Sequence, residues 1–340
     1  MNNPSPPAIR SFDQFRDAVY GFRLPRIILS AMDMELFSHM GNRAWTLPAL
    51  ARRLKSSQRG MDILCRNLAA IGLLEKREEG YSASKLSQRY LNKRSPEYRG
   101  AYLQLLQRQW EEWSNLTTAV KTGRPLNDHE PETPEYRRSF TWAMHERSME
   151  SAKQVARQIR LPKAQAFLDL GGGPGTYAMH FLKANPSLKA SIMDRPAALE
   201  VARELATRYR LGSRLSYLPG DFLQDPITGK YDVVWYSNVL HIYSLQENLQ
   251  VFRKARKALK RGGRLLIQDT FLQDKKGLVP LEANLFAVTM LLYTETGNTY
   301  SLGEVRACLT RAGFPRTRVI RLKQGTGDWE GLILEAKIPG

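Results

Sequence analysis

Cysteine is scarce in this chain of 340 residues, which contains only Cys65 and Cys308. The two lie far apart, and neither has a partner at the spacing of a metal site or a redox pair. A disulfide framework is therefore excluded, and no metal site is expected. The pattern predicts two ordinary thiols in a reducing compartment, the cytoplasm.

Long apolar runs are also missing. No stretch approaches the roughly 20 apolar residues that a membrane-spanning helix needs, and the first residues have no apolar segment typical of a signal peptide. Hydrophobic residues make up 42% of the chain and charged residues 25%. This balance is typical of a folded globular protein, and we expect no membrane span.

Acidic residues are outnumbered, since 33 Asp and Glu stand against 51 Lys and Arg, for a net charge of +18. Such an excess raises nucleic acid as a partner. The excess is nevertheless spread evenly, with a net charge of +9 in residues 1–160 and of +9 in the remainder. An even excess is more typical of a solvated surface, so the charge does not favour a nucleic-acid partner.

Residues 46–91 follow the order of a winged helix. Thr46 is expected to cap a first helix, Ser56 and Ser57 to start a second, and Tyr81 to head the second of two short strands. Helix, turn, helix and a two-stranded wing make up this module, which binds DNA in some proteins and dimerises in others. The second helix has few base-reading side chains beyond Arg59 and Arg66. Dimerisation is therefore the favoured role.

Three segments follow from these patterns, because the length of the chain exceeds what one hydrophobic core usually serves. We expect a winged-helix-like dimerisation domain over residues 1–100. A helical connector that contributes to a substrate pocket follows over 101–160, and a larger domain over 161–340.

The larger domain alternates short apolar runs with helix-length segments. AFLDL, LKASIM, LSYL, YDVVWY and GRLLIQD are interpreted as buried strands. RTRVIRL and GLILEAK, separated by a glycine-rich turn, are expected to form an antiparallel hairpin at the sheet edge. The predicted fold class is α/β: a Rossmann-like, doubly wound, mostly parallel sheet with a C-terminal antiparallel hairpin, preceded by an α-helical winged-helix-like domain.

A glycine-rich turn, LDLGGGPGT, follows the first of these strands. Gly171, Gly173 and Gly175 permit positive φ angles and a close approach of backbone to a ligand. A dinucleotide fingerprint would place a glycine where Thr176 stands, and no P-loop lysine follows. A tight turn with no diphosphate to accommodate suits the methionine and ribose of S-adenosylmethionine, although such a turn can also be purely structural.

Polar residues stand where the next strands end. Asp194, at the end of the second strand, is placed to accept from the ribose hydroxyls, and Asp221, beside Phe222, to contact the adenine amino group. Ser237 and Asn238 follow the fourth strand. Each aspartate alone is more often a helix cap or a turn former. Their occurrence in strand order favours a ligand at the carboxyl edge of the sheet.

These motifs together resemble the class I methyltransferases, specifically the dimeric O-methyltransferase family that includes plant phenolic and acetylserotonin O-methyltransferases and many bacterial relatives. The matches are LDLGGGPGT, the acidic residue of IMDRP, GDF, and the stretch SNVLHIYSLQENLQVFRKARKALKRGGRLLIQD. The resemblance covers nearly the whole chain. It implies a homodimer that uses S-adenosylmethionine to methylate a hydroxyl of an aromatic or polyketide-like small molecule.

The resemblance also implies roles for individual residues. His241 matches the catalytic base, Asp269 the acid that orients it, and Tyr243 an aromatic residue beside the adenine. Met144 and Met290 match methionines that hold the acceptor. A phenol, with a reference pKa of about 10, must lose its proton as the bond to the methyl group forms, and an imidazole, with a reference pKa of about 6.5, can take that proton.

Two departures from the family leave alternatives open. Ile242 stands where an acidic residue often follows the histidine, and Thr299 stands where a second acidic partner is often found. A C- or N-methyltransferase on the same fold, or a non-catalytic regulator that binds S-adenosylmethionine, are therefore alternatives. His241 could also serve only to cap its loop, and Phe286 and Trp142 could be core residues rather than part of an acceptor pocket.

Overall fold

The computed structural model describes residues 8–125, 133–161, 164–274, 276–323 and 332–339. The chain divides into two compact units, the first ending at Arg108 and the second beginning at Gln109. The expected boundary after residue 100 falls within a helix, Gly100–Glu112, and the three-segment division stays a prediction.

The first unit is mainly helical and has one small hairpin. Its strands β1 (Leu74–Arg77) and β2 (Gly80–Ala83) pair antiparallel between its fifth and sixth helices, which confirms the winged-helix order. The helices are α1 (Phe12–Tyr20), α2 (Arg23–Asp33), α3 (Leu36–Met40), α4 (Leu47–Arg53), α5 (Gln58–Ala70), α6 (Lys85–Tyr90) and α7 (Gly100–Glu112), the last extending past the boundary.

The two helix starts in this module are held differently. Ser57 caps α5, since its hydroxyl accepts a hydrogen bond from the Gly60 N–H at 3.0 Å. Thr46 occupies the N-cap position of α4 as expected, but its side chain makes no capping hydrogen bond. The preceding residue, Trp45, instead exchanges two backbone hydrogen bonds with Tyr81, so pairing with the wing holds this helix start.

The second unit carries the remaining helices: α8 (Leu116–Thr122), α9 (Pro134–Gln158), α10 (Thr176–Ala184), α11 (Pro196–Tyr209), α12 (Leu245–Ala258), α13 (Leu281–Tyr293) and α14 (Leu302–Arg311), with short 3-10 turns at Trp113–Asn115, Gly212–Arg214 and Leu240–Ile242. Among the described residues of both units, no helix is long and apolar enough to span a bilayer.

A seven-stranded sheet forms the centre of the second unit. Its strands are β3 (Ala166–Leu170), β4 (Lys189–Asp194), β5 (Leu215–Pro219), β6 (Tyr231–Ser237), β7 (Leu259–Gln268), β10 (Arg316–Arg321) and β11 (Leu332–Lys337). The spatial order is β10-β11-β7-β6-β3-β4-β5. All neighbours are parallel except β11, which runs antiparallel to both β7 and β10. A separate parallel pair joins β8 (Phe271–Leu272) to β9 (Tyr300–Ser301).

This arrangement confirms the doubly wound fold and the terminal hairpin, whose connecting turn lies outside the described residues. One strand differs from expectation. The prediction that LSYL is buried is wrong, because β5 lies at the edge and four of its five residues are partly or fully exposed. A strand with a neighbour on one side only is covered less completely than a central strand.

The sheet order places the ends of four strands together. β3 lies between β4 and β6, and β7 is next to β6. The winding direction therefore reverses at β3, and the crevice outside the carboxyl ends of strands at such a switch point is where ligands bind in open α/β sheets.

Candidate active site

The glycine turn leaves β3 with all three predicted glycines in the left-handed region: φ is +69° at Gly171, +50° at Gly173 and +69° at Gly175. A Cβ added to Gly175 would lie 2.2 Å from Ile192 Cδ1, and one on Gly171 would lie 2.9 Å from Val239 Cγ2. A Cβ on Gly173 would meet nothing closer than 4.0 Å. Gly171 and Gly175 thus allow neighbouring side chains to pack against the turn, whereas the backbone at Gly173 is open to a ligand.

Asp194 is joined to this turn. Its Oδ2 accepts a hydrogen bond from the Gly173 N–H at 2.7 Å, and its Oδ1 accepts from the Arg195 N–H at 2.7 Å. Desolvation raises the pKa of this carboxyl, against the opposing effect of the two N–H donors. The structure therefore brings together two predicted cofactor residues, one from the turn and one from the end of β4.

An aromatic pair lies beside the turn. The Phe222 ring meets the Tyr243 ring edge to face, with centroids 5.7 Å apart, and Phe222 Cε1 is 3.1 Å from where a Cβ of Gly171 would be. Burial raises the pKa of the Tyr243 phenol to about 12. Asp221 is close by, its Oδ1 accepting from the Leu223 N–H at 2.8 Å. These residues offer an aromatic surface with a carboxylate at its margin.

Ser237 links the ends of two strands. Its hydroxyl donates to Gln268 Oε1 at 3.3 Å and accepts from Asn238 Nδ2 at 3.1 Å. Asn238 itself adopts a left-handed conformation, with φ +56°. Asn238 Oδ1 and Asp269 Oδ2 are buried and have no hydrogen-bond partner within the described part of the chain. This edge can therefore accept hydrogen bonds from a bound molecule.

His241 and Asp269 form a buried pair. His241 lies in the 3-10 turn after β6, and its Nδ1 is 2.8 Å from Asp269 Oδ1, just past the end of β7. An ionised carboxylate only accepts hydrogen bonds, so the Nδ1 proton is fixed on the Asp269 side and Nε2 is left as an acceptor. His241 does not cap the next helix, because Ser244 and Glu247 form a capping box at the start of α12.

The loop after α13 supports His241 from its backbone side. The Asn298 N–H donates to the His241 carbonyl at 2.9 Å, and a Cβ on Gly297 would lie 2.4 Å from that oxygen. Thr299 points elsewhere, since its hydroxyl donates to the Ala283 carbonyl at 3.1 Å. Thr299, at the expected second acidic position, is thus hydrogen-bonded to α13. The close approach of Gly297 to the His241 carbonyl has no signal in the sequence, because the two residues are distant along the chain.

The expected acceptor residues lie on two helices. Phe286 of α13 meets the His241 ring edge to face at 4.6 Å between centroids, and Met290, one turn later, is buried. Met144 is on α9, which packs against α10 and α11, whereas α13 packs against α8 and the His241 turn. Trp142 joins the core around α10 and α11. Phe286 is therefore placed at the imidazole, and a pocket shared by Met144 and Met290 stays a prediction.

Asp169, the fourth residue of the AFLDL strand, lies within the LDLGGGPGT motif, but the sequence analysis assigns it no role. It is buried, and its Oδ2 accepts from the Ala178 N–H at 3.2 Å, in the first turn of α10. Burial raises the pKa of this carboxyl to about 7. A charged residue inside an apolar strand is the signal that could have found it. Within the described ranges, no cluster of His, Cys, Asp and Glu has the arrangement of a metal site.

Comparison with known proteins identifies the family. Residues 93–315 match the O-methyltransferase domain, and residues 17–93 match the O-methyltransferase dimerisation domain. The chain therefore belongs to the O-methyltransferase family. This membership confirms the expected enzyme, an S-adenosylmethionine-dependent O-methyltransferase, and the alternative of a non-catalytic regulator is set aside.

Individual relatives span nearly the whole chain. The 3-hydroxy-5-methyl-1-naphthoate 3-O-methyltransferase of Streptomyces sahachiroi is 27% identical over 327 residues, covering 93% of each chain. The N,N-dimethyltransferase OxyT of Streptomyces rimosus is 28% identical, covering 91% of each. The crystal structure of human N-acetylserotonin methyltransferase with S-adenosylmethionine is similar in fold, with a TM-score of 0.84, 21% identity and coverage of 99% of this chain and 100% of that one.

Proposed function

We propose that this enzyme methylates a phenolic hydroxyl of a flat, polyketide-like aromatic molecule, with His241 as the general base. The observation that carries the proposal is the buried His241–Asp269 pair, 2.8 Å apart, with Phe286 packed against the imidazole. The carboxylate holds the Nδ1 proton, so Nε2 can accept a proton from a hydroxyl.

The residues around the glycine turn fit S-adenosylmethionine. The open backbone at Gly173 and the neighbouring Gly171 would lie along its methionine and ribose, and Asp194 would accept from the ribose hydroxyls. Phe222 and Tyr243 would flank the adenine, with Asp221 at its amino group, and Ser237 would lie at the strand end nearest the methionine. The lack of a P-loop lysine after the turn agrees with a cofactor that has no diphosphate.

The protein's part in the reaction is positioning and proton transfer. The bound cofactor supplies an electrophilic methyl group on a sulfonium, and in-line geometry at that carbon is the main requirement. His241 accepts the hydroxyl proton at Nε2, and Asp269 stabilises the resulting imidazolium through Nδ1. Both side chains are almost completely buried, so the proton transfer we propose takes place where bulk water has little access.

The acceptor class is argued from the apolar residues near His241. Phe286 gives an aromatic edge, and Met290 and Met144 supply thioethers, which pack adaptably against rings. The Streptomyces sahachiroi relative acts on a hydroxynaphthoate, as its name states. A fused-ring phenol is therefore the acceptor we propose, held with its hydroxyl at His241 Nε2.

Methylation of nitrogen is the second candidate. It is favoured by the similarity to OxyT and by the uncharged side chains of Ile242 and Thr299, where the family often has carboxylates. An amine needs less assistance from a base than a phenol does, once it is unprotonated. Locating the methyl group in the product by NMR distinguishes the two.

Two broader properties complete the proposal. The dimerisation domain at residues 17–93 supports a homodimer. Both cysteines are free and buried, and burial raises the pKa of each thiol to about 11. Protonated, protected thiols are compatible with a cytoplasmic enzyme.

The test combines binding and turnover. Calorimetry with S-adenosylhomocysteine should show micromolar binding, with NADH as a control that does not bind. His241→Gln should lower transfer to 3-hydroxy-1-naphthoate by about 100- to 10,000-fold, the typical value of a general base, and should leave S-adenosylhomocysteine affinity unchanged.

The matched control is His39→Gln, a histidine of α3 in the first unit, which should retain activity. Full activity of His241→Gln would remove His241 as the base. Tight binding of NADH, or no binding of S-adenosylhomocysteine to the wild type, would overturn the cofactor site.

A further inference from the structure

One hydrogen bond ties α9 to the start of α10. His145 Nδ1 and Thr176 Oγ1 lie 2.9 Å apart, and both residues are almost completely buried. His145 belongs to a buried stripe of α9 that also includes Thr141, Ser148 and Ala152, at the three- and four-residue spacing of a helix face. The bond is therefore part of the surface on which α9 packs against α10.

Thr176 occupies a special position in the chain. It is the first residue of α10 and directly follows Gly175, the last glycine of the turn. Gly175 has no side chain with which to cap the helix, so other groups must hold this end in place. Asp169 holds the Ala178 N–H from β3, and His145 holds the Thr176 hydroxyl from α9.

The orientation of the His145 ring is set by its neighbours. Trp142 and Tyr209 meet it edge to face, with centroids at 5.9 and 6.2 Å. The Arg208 guanidinium lies over the Trp142 ring at 4.7 Å. Residues of α9 and α11 thus fix the imidazole with Nδ1 toward Thr176.

We propose that His145 is a positioning residue for the cofactor: through Thr176 it sets the place of the glycine turn relative to α9. The inference rests on the proposed cofactor site at that turn. Met144, the neighbour of His145 on α9, is a proposed acceptor contact. The same hydrogen bond therefore also fixes the position of α9, which carries this acceptor contact, relative to the glycine turn, which would bind the cofactor.

A second α9–α10 hydrogen bond supplies a control. Ser151 Oγ and Tyr177 Oη are 3.2 Å apart and also buried. This bond is made at the far end of a long side chain, so it contributes to packing without fixing the backbone of the turn. Ser151→Ala should lower the thermal midpoint while leaving S-adenosylhomocysteine affinity unchanged.

The experiment separates the hydrogen bond from the ring. His145→Phe keeps an aromatic ring but loses the bond, whereas His145→Asn loses the ring but keeps a polar atom close to the place of Nδ1. Calorimetry should show S-adenosylhomocysteine binding weakened about fivefold in His145→Phe, the size of one lost hydrogen bond. His145→Asn should bind nearly as well as the wild type.

Thr176→Val, which is almost isosteric, should weaken binding to the same extent, and the double variant His145→Phe/Thr176→Val should be no worse than either single variant. Thr176→Val keeps the test available if a His145 variant does not fold. Unchanged affinity in Thr176→Val or His145→Phe, or effects that add in the double variant, would overturn the inference. Loss of binding in the wild type would instead refute the proposed cofactor site.

Discussion

Asp169 is a buried carboxyl whose charged form is disfavoured by desolvation. It lies at 2% exposure in the central strand β3, and a Cβ on Gly172 would be 2.5 Å from its carboxyl carbon. The Ala178 N–H donates a hydrogen bond to this carboxyl. Desolvation outweighs that bond and raises the pKa to about 7, so the carboxyl titrates near neutrality beside the glycine turn.

Stability should therefore depend on pH through this group. Between the reference value of 3.8 and about 7, the folded protein binds a proton that the unfolded chain releases, so stability falls as the pH rises. Each pH unit within that interval removes at most about 1.4 kcal/mol of stability, and the loss is complete above pH 7. Asp169→Asn removes this dependence, and its thermal midpoint relative to the wild type should be higher at pH 8 than at pH 5.

Calorimetric melting at the two pH values checks this, with Glu79→Gln in the exposed turn between β1 and β2 as the control variant. The same difference between Asp169→Asn and the wild type at both pH values would contradict the buried, titrating carboxyl.

At the scale of elements, the β3–turn–α10 unit combines a backbone requirement with a packing requirement. Gly175 needs a positive φ and also leaves room for Ile192, whose Cδ1 would be 2.2 Å from an added Cβ. Gly212, before β5, has a similar φ of +58° but nothing within 4 Å of an added Cβ. The two glycines therefore differ in packing while sharing the conformation.

Alanine at these positions should separate the two effects. Gly212→Ala should cost about 1 kcal/mol, the strain of a left-handed L-residue. Gly175→Ala should cost clearly more, because Ile192 or the turn must move, and it should also weaken S-adenosylhomocysteine binding. Thermal unfolding and calorimetry measure both quantities; equal stability losses with unchanged binding would show that the contact with Ile192 is easily relieved.

For the whole molecule, the first unit presents an unusual surface. Apolar side chains of α1 and its connection to α2 are exposed, namely Phe12, Phe15, Val19, Tyr20, Phe22 and Leu24. An apolar surface of this kind is typical of an interaction site, and these residues adjoin or lie within the matched dimerisation domain, residues 17–93. We expect this surface to be covered in a homodimer.

A charge on that surface should separate the subunits. Phe15→Glu, at a side chain that is 50% exposed, should shift the mass in light scattering from dimer towards monomer. Ile63→Glu, at 41% exposure on α5 of the same unit, should leave the mass unchanged. A dimeric mass for Phe15→Glu at low micromolar concentration would place the interface elsewhere.

Local patterns along the chain are enough to specify the fold class, the winged-helix order and the glycine turn. Apolar runs of strand length, helical spacing and glycines at alternate positions can be read with no knowledge of distant residues. The placement of Asp194 among the carboxyl ends of the strands can also be predicted from the sequence, since parallel strands bring these ends together.

Contacts between distant segments, by contrast, are specified by the packing of whole elements. The His145–Thr176 bond, the approach of Gly297 to the His241 carbonyl and the hydrogen bond from Thr299 to α13 all join segments that are separate in sequence. The exposure of β5 likewise depends on its having one neighbour in the sheet. Local periodicity carries no information about such partners, because a side chain meets them only after the helices and strands have packed against one another.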